Sequence, residues 1–75
     1  MTRLKVYFEC DVADFYISAS QYSTWEGTET DIYILNTNTW EEITIPCDFE
    51  NLFCTFCNTV EKYERITGTK AVPAA

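Results

Sequence analysis

The feature that most limits what this chain can fold into is a single helical stripe placed after a stretch that only alternates. Phe49, Leu52, Phe53, Phe56, Val60 and Tyr63 recur at spacings of three and four, and Gly68 follows as a stop. Asp48 stands where its carboxylate would cap the first free amides and meet the positive end of the helix. Such a helix has one apolar face and needs a sheet to cover.

The residues before it supply strands. Leu4, Val6, Phe8 and Cys10 alternate with Lys5, Tyr7 and Glu9, the period of a half-buried strand. Asp11-Val12-Ala13 is a short connection into a second strand over 14–20, where Phe15, Ile17 and Ala19 alternate with Tyr16 and Ser18. The segment 21–30 has no period and reads as a surface loop carrying Tyr22 and Trp25. Two further strands, 31–35 and 40–45, flank the turn residues Asn36-Thr37-Asn38-Thr39, and Pro46 ends the second of them.

The expectation is an α+β domain over 1–68: a four-stranded antiparallel sheet of two hairpins, with one C-terminal helix packed on one face, and a flexible tail over 69–75. Parity assigns Leu4, Val6, Phe8, Phe15, Ile17, Ile32, Ile34, Ile43 and Ile45 to the helix side. It leaves Tyr7, Glu9, Tyr16, Asp31, Tyr33, Leu35, Trp40, Glu42 and Thr44 on the uncovered side. A core from 75 residues yields only about 3 to 5 kcal/mol of net stability, which makes association a natural supplement.

Charge narrows the function. Five Lys and Arg against twelve Asp and Glu give a net charge of −7, which opposes direct binding to nucleic acid or to anionic membranes. Between Lys5 and Lys62 there is no basic residue, yet eleven acids fall in that interval. A basic docking surface would relieve this self-repulsion. Tyr7, Tyr16, Tyr33 and Trp40 are residue types that dominate binding hot spots, since each brings large area and one polar handle. With Glu9, Asp14, Asp31 and Glu42 they form the expected partner-binding set.

Catalysis and cofactors find little support. There is no His, and two Gly residues cannot build a phosphate-binding loop. Glu41 and Glu42 are neighbours on a strand and point to opposite faces, so they cannot share a proton or a substrate. Glu9, Asp11 and Asp14 lack the Gly and terminal Glu of a calcium loop. Cys54-Thr55-Phe56-Cys57 has the spacing of a zinc or redox pair, but Cys10 and Cys47 fall at opposite edges of the expected sheet, and no parallel strand precedes the pair. The expectation is no enzyme, no metal, no cofactor and reduced thiols.

The amino terminus has no apolar run of signal-peptide type, no apolar stretch is long enough to cross a membrane, and no Asn is followed by the glycosylation pattern, so a cytoplasmic address is expected. In size and charge the chain resembles the small phage and mobile-element proteins that block restriction or CRISPR machinery by mimicking nucleic acid. That resemblance, of composition and not of motif, implies an inhibitor occupying the basic, nucleic-acid-binding surface of a target protein. The alternative is a structural subunit or homodimer joined through the exposed aromatic sheet face.

Overall fold

A computed structural model describes residues 2–74, so Met1 and Ala75, the outer ends of the expected domain and tail, lie outside the described residues. The elements follow in the order β1 (Thr2–Val12), β2 (Phe15–Thr24), β3 (Gly27–Asn36), β4 (Glu42–Cys47), a 3₁₀ turn at Phe49–Asn51, α1 (Leu52–Thr67) and β5 (Val72–Pro73). All strands belong to one antiparallel sheet ordered β4-β3-β2-β1-β5. The α+β class and the single C-terminal helix are as the sequence implies, but the sheet has five strands instead of four. The extra one comes from the segment expected to be a loose tail. Val72 and Pro73 pair with Asp11 and Cys10, and the Ala71 amide donates to Glu64 Oε2 at 2.8 Å.

Leu52, Phe56, Val60 and Tyr63 carry the inward stripe of α1 onto Cys10, Val12, Ile17, Ala19, Ile32 and Ile34. Burying each of the larger of these side chains stabilises the fold by about 1.5 to 3 kcal/mol. Aromatic pairs close the flanks of this layer: Phe15 with Tyr63 at 4.8 Å, and Phe8 with Phe53 at 5.1 Å and Phe56 at 5.6 Å between ring centroids. The helix lies over β1, β2 and β3. Ile43 and Ile45 have the expected helix-side parity, opposite Ile34 and Ile32, yet they sit beyond its reach and remain exposed.

At its end α1 terminates on Gly68, whose φ of +72° is open to glycine at low cost and whose amide donates to Glu64 O at 2.8 Å. Its beginning differs from expectation. Asp48 is extended and its side chain makes no capping hydrogen bond, so the chain enters the helix through the 3₁₀ turn, with the Asn51 amide donating to Asp48 O at 3.0 Å.

Three stretches depart from the sequence reading for identifiable reasons. The segment 21–30 is not a loop: Gln21, Tyr22, Ser23 and Thr24 pair with Thr30, Glu29, Thr28 and Gly27, leaving a turn of Trp25 and Glu26. This hairpin is too polar on both faces to print an alternating pattern, and the strand propensity of its Thr and Tyr residues alone does not mark it as a strand pair. Pro46 does not end β4 but pairs with Asp31 inside it; at a sheet edge the missing N–H costs no ladder bond.

The third departure is in β1, which also runs on through Asp11 and Val12. It carries register shifts between Arg3 and Lys5 and between Val6 and Phe8. Each inserted residue reverses the parity that follows. Phe8 faces the helix as expected, opposite Ala19. Val6, expected beside it, lies opposite Ser20 on the uncovered side, and Leu4 is an inserted residue exposed to solvent.

Candidate functional site: the uncovered sheet face

Antiparallel register fixes which side chains share the face away from α1. Rows run across it from β4 to β1. Glu42, Leu35, Tyr16 and Asp11 form the row nearest the β1–β2 turn. Thr44, Tyr33, Ser18 and Glu9 come next, followed by Pro46, Asp31, Ser20 and Val6. Glu29, Tyr22 and Arg3 make the last row.

The middle of the face is roofed by its own side chains. Ser18 and Ser20 are buried, and Asp31 is only 1% exposed. Arg3 folds back over them: its Nη1 donates to Asp31 Oδ1 at 2.6 Å and to Ser20 Oγ at 2.7 Å. The guanidinium carbon lies 5.3 Å from the Tyr22 ring centroid and 4.9 Å from that of Tyr33, so the cation is stacked between aromatic faces while it neutralises the buried carboxylate. Among the described residues this is the one salt bridge.

The tyrosines connect the centre to the acidic rim. Tyr16 donates its hydroxyl to Glu9 Oε2 at 2.6 Å and packs edge-on to Tyr33 at 6.4 Å. Tyr22 donates to Glu29 Oε2 at 3.0 Å. Burial, together with the hydrogen bond to Glu9, pushes the Tyr16 phenol up to about 12. Tyr22 and Tyr33 are raised for the same reasons, burial first and then the neighbouring carboxylates Glu29 and Glu42. All three phenols are therefore neutral donors at physiological pH.

Of the expected partner-binding residues, the fold brings Glu9, Tyr16, Tyr33 and Glu42 onto this face. Asp31 shares it but is buried in the ion pair with Arg3, so it is not available to a partner as the sequence reading required. Tyr7 is not on it. The second register shift turns Tyr7 to the helix side, where its ring meets Phe49 edge-on at 5.3 Å and borders a groove with Gln21, Thr30 and Cys47.

Trp40 is not on a strand. It belongs to the turn between β3 and β4, with a φ of +63° and an indole 72% exposed. Asp14 stands at the same end, in the β1–β2 turn, where its carbonyl accepts from the Thr37 amide and hydroxyl, both at 2.9 Å.

Sequence reasoning missed Arg3, Ser18, Ser20 and Tyr22. Ser18 and Ser20 share the parity of Tyr16 within the expected strand 14–20 but are not residue types that signal a contact, and Tyr22 would have joined them had the strand been drawn to Thr24. Arg3 reaches this face only through the register shifts in β1, which leave no mark in the residue pattern.

The cysteines are free and scattered. Cys10 is buried in the core on β1 and Cys47 is half-buried on the same face at the far edge of the sheet, on β4, and burial raises both thiols, aided by Asp11 and Glu64 at Cys10 and by Asp31 and Asp48 at Cys47. Cys54 is exposed, in the first turn of α1 and nearer the helix start than the sequence suggested, because Phe49–Asn51 is 3₁₀. Among the described residues no group of three or more His, Cys, Asp or Glu is placed to hold a metal ion, and no helix is long and apolar enough to cross a membrane. No family model, no curated protein and no solved structure matches the chain.

Proposed function

We propose that this chain is a non-enzymatic binding protein whose tyrosine-and-carboxylate sheet face docks on a basic surface of another protein, of the kind that holds nucleic acid, and competes with nucleic acid there. The observation that carries the reading is the charge arrangement of the uncovered face. Among the described residues Arg3 is its one cation and is committed to Asp31, while Glu9, Asp11, Glu29 and Glu42 ring the tyrosines with no salt-bridge partner there. Uncompensated carboxylates around aromatic area suit Lys and Arg side chains, which gain both ion pairing and stacking.

The same arrangement weighs against a homodimer through this face, because two copies meeting there would oppose their own carboxylates. An inhibitor acting in the manner of phage anti-restriction or anti-CRISPR proteins fits this chemistry, and a cytoplasmic setting fits the free thiols.

The test pairs Glu9→Lys/Glu42→Lys and Tyr16→Ala/Tyr33→Ala with wild type as baits on host lysate. Proteins recovered by wild type are identified by mass spectrometry, purified and challenged with DNA and RNA. The reading expects a basic protein whose binding weakens steeply with salt, is displaced by nucleic acid and is lost in both variants. Equal recovery by the folded variants, or binding indifferent to salt, would refute it.

A further inference from the structure

The turn between β3 and β4 holds a tryptophan where a tryptophan is costly. Trp40 has φ +63°, a region that glycine and asparagine enter easily and that a bulky side chain avoids. The conformation is enforced from several directions. The Trp40 amide donates to Asn36 O at 2.7 Å and the Asn36 amide to Glu41 O at 2.9 Å, while Asn36 Oδ1 accepts from the amides of Asn38 at 2.9 Å and Thr39 at 3.2 Å. Thr37 ties the turn to Asp14 through its amide and its hydroxyl.

The hydrogen bonds fix the backbone of the turn, but among the described residues the ring itself has no aromatic or cationic partner. The indole is 72% exposed. Trp25 sharpens the comparison. It is 93% exposed in the opposite turn, but its φ is not positive, so exposure alone does not single out Trp40. A strained, over-determined backbone that displays a large amphipathic ring is the signature of a contact residue.

Resting on the reading above, we infer that Trp40 is the anchor of the partner complex: its indole inserts into an apolar pocket of the basic protein, and Asp14, Glu41 and Glu42 meet lysines or arginines on the rim of that pocket. Position supports this. The turn stands at the end of the sheet where the row of Glu42, Leu35 and Tyr16 begins, so one partner surface spans both. Charge selects the partner, since Asp14, Glu41 and Glu42 stand at the same end of the sheet as this turn and oppose an anionic lipid surface or a phosphate backbone.

The test uses three variants and the basic protein recovered by wild type, purified. Trp40→Gly relieves the left-handed strain and removes the indole, Trp40→Asn keeps a residue suited to that conformation, and Trp25→Phe leaves Trp40 as the sole tryptophan. Trp40→Gly is expected to melt higher than wild type and, with Trp40→Asn, to bind at least about thirty-fold more weakly, the loss typical of a tryptophan hot spot. In Trp25→Phe, affinity is kept and the Trp40 emission shifts to the blue when the basic protein is added.

Binding of Trp40→Gly within about threefold of wild type overturns the inference, a difference worth under 1 kcal/mol. So does an unchanged Trp40 emission, or a blue shift produced instead by phosphatidylcholine vesicles. If Trp40→Gly binds normally while Glu9→Lys/Glu42→Lys does not, the anchor is wrong and the acidic-face reading stands. If both bind normally, or wild type recovers no basic protein, both fail.

Discussion

Replacing Arg3 with Ala should come close to unfolding the protein, although Arg3 lies at the amino-terminal end of β1. Its side chain is 33% exposed and would pass for a surface residue, but its partner Asp31 is 2% exposed. A surface ion pair contributes about 0 to 1 kcal/mol, whereas stranding one member of a buried pair costs about 3 to 5 kcal/mol. Arg3 keeps some contact with water, so solvent reaches part of the vacated site and the cost falls between these limits, at about 2 to 3 kcal/mol. Without Arg3 the Asp31 carboxylate keeps Ser20 Oγ, at 3.3 Å, as its remaining side-chain partner, and Tyr22 and Tyr33 lose the cation stacked between them.

Against a total near 3 to 5 kcal/mol for a domain of this size, that loss is visible in urea unfolding followed by circular dichroism. The double variant Arg3→Met/Asp31→Leu removes both charges and should recover most of the stability. Arg3→Lys should fall between, since an ammonium cannot reproduce the planar stacking. Destabilisation by Arg3→Ala below about 0.5 kcal/mol, no larger than an ordinary surface change, would refute the buried-pair account. For the same reason charge reversal at Asp31 tests folding and not binding, and a binding test must leave it intact.

Three further outcomes follow from single residues. Gly68→Ala should cost about 1 kcal/mol in urea unfolding, because a Cβ meets nothing within 4 Å there and the penalty is confined to the backbone at φ +72°. The Tyr16 phenol, raised to about 12 when folded, stays protonated where the unfolded chain ionises, so its contribution is complete below about pH 10 and is lost as pH rises toward 12; the melting temperature of wild type should fall more steeply across that interval than that of Tyr16→Phe. Ellman's reagent should modify Cys54 first and Cys10 only on unfolding, and Cys54→Ser should be the mildest of the four Cys→Ser changes in melting temperature.

The parts of the fold that were legible are those where one face is buried and the other is not. Ile17, Ala19, Ile32 and Ile34 alternate because α1 lies directly over them, and the stripe of Leu52, Phe56, Val60 and Tyr63 is the other half of the same contact. Where the helix gives no cover, the pattern fades. The hairpin of Gln21 to Thr30 is polar on both faces and reads like a loop although every residue outside the turn is paired. The register shifts in β1 are set by pairing with β2 and not by residue type, which is why Val6, Tyr7 and Arg3 are found on faces that parity denies them.

The candidate site was legible to the same extent. Tyr16, Tyr33, Glu9 and Glu42 stand on regular strand positions, and alternation alone places them together. Asp31 shows the limit of that logic: parity gives the face of a residue but not what lies over it, and the cation that buries Asp31 comes from a strand two places away in the sheet. Tryptophan favours strands, which is why parity places Trp40 on one, whereas the amides of Trp40, Asn38 and Thr39 donating to Asn36, and Thr37 donating to Asp14, hold it in a turn.

The measurement that bears most directly on the acidic sheet face is the salt dependence of affinity for the basic protein recovered by wild type, compared with that of Glu9→Lys/Glu42→Lys after both are shown to melt cooperatively. Charge-driven docking predicts a wild-type dissociation constant that rises steeply from low to high salt, and a variant that binds weakly throughout with little slope. Equal affinities with equal slopes would contradict it.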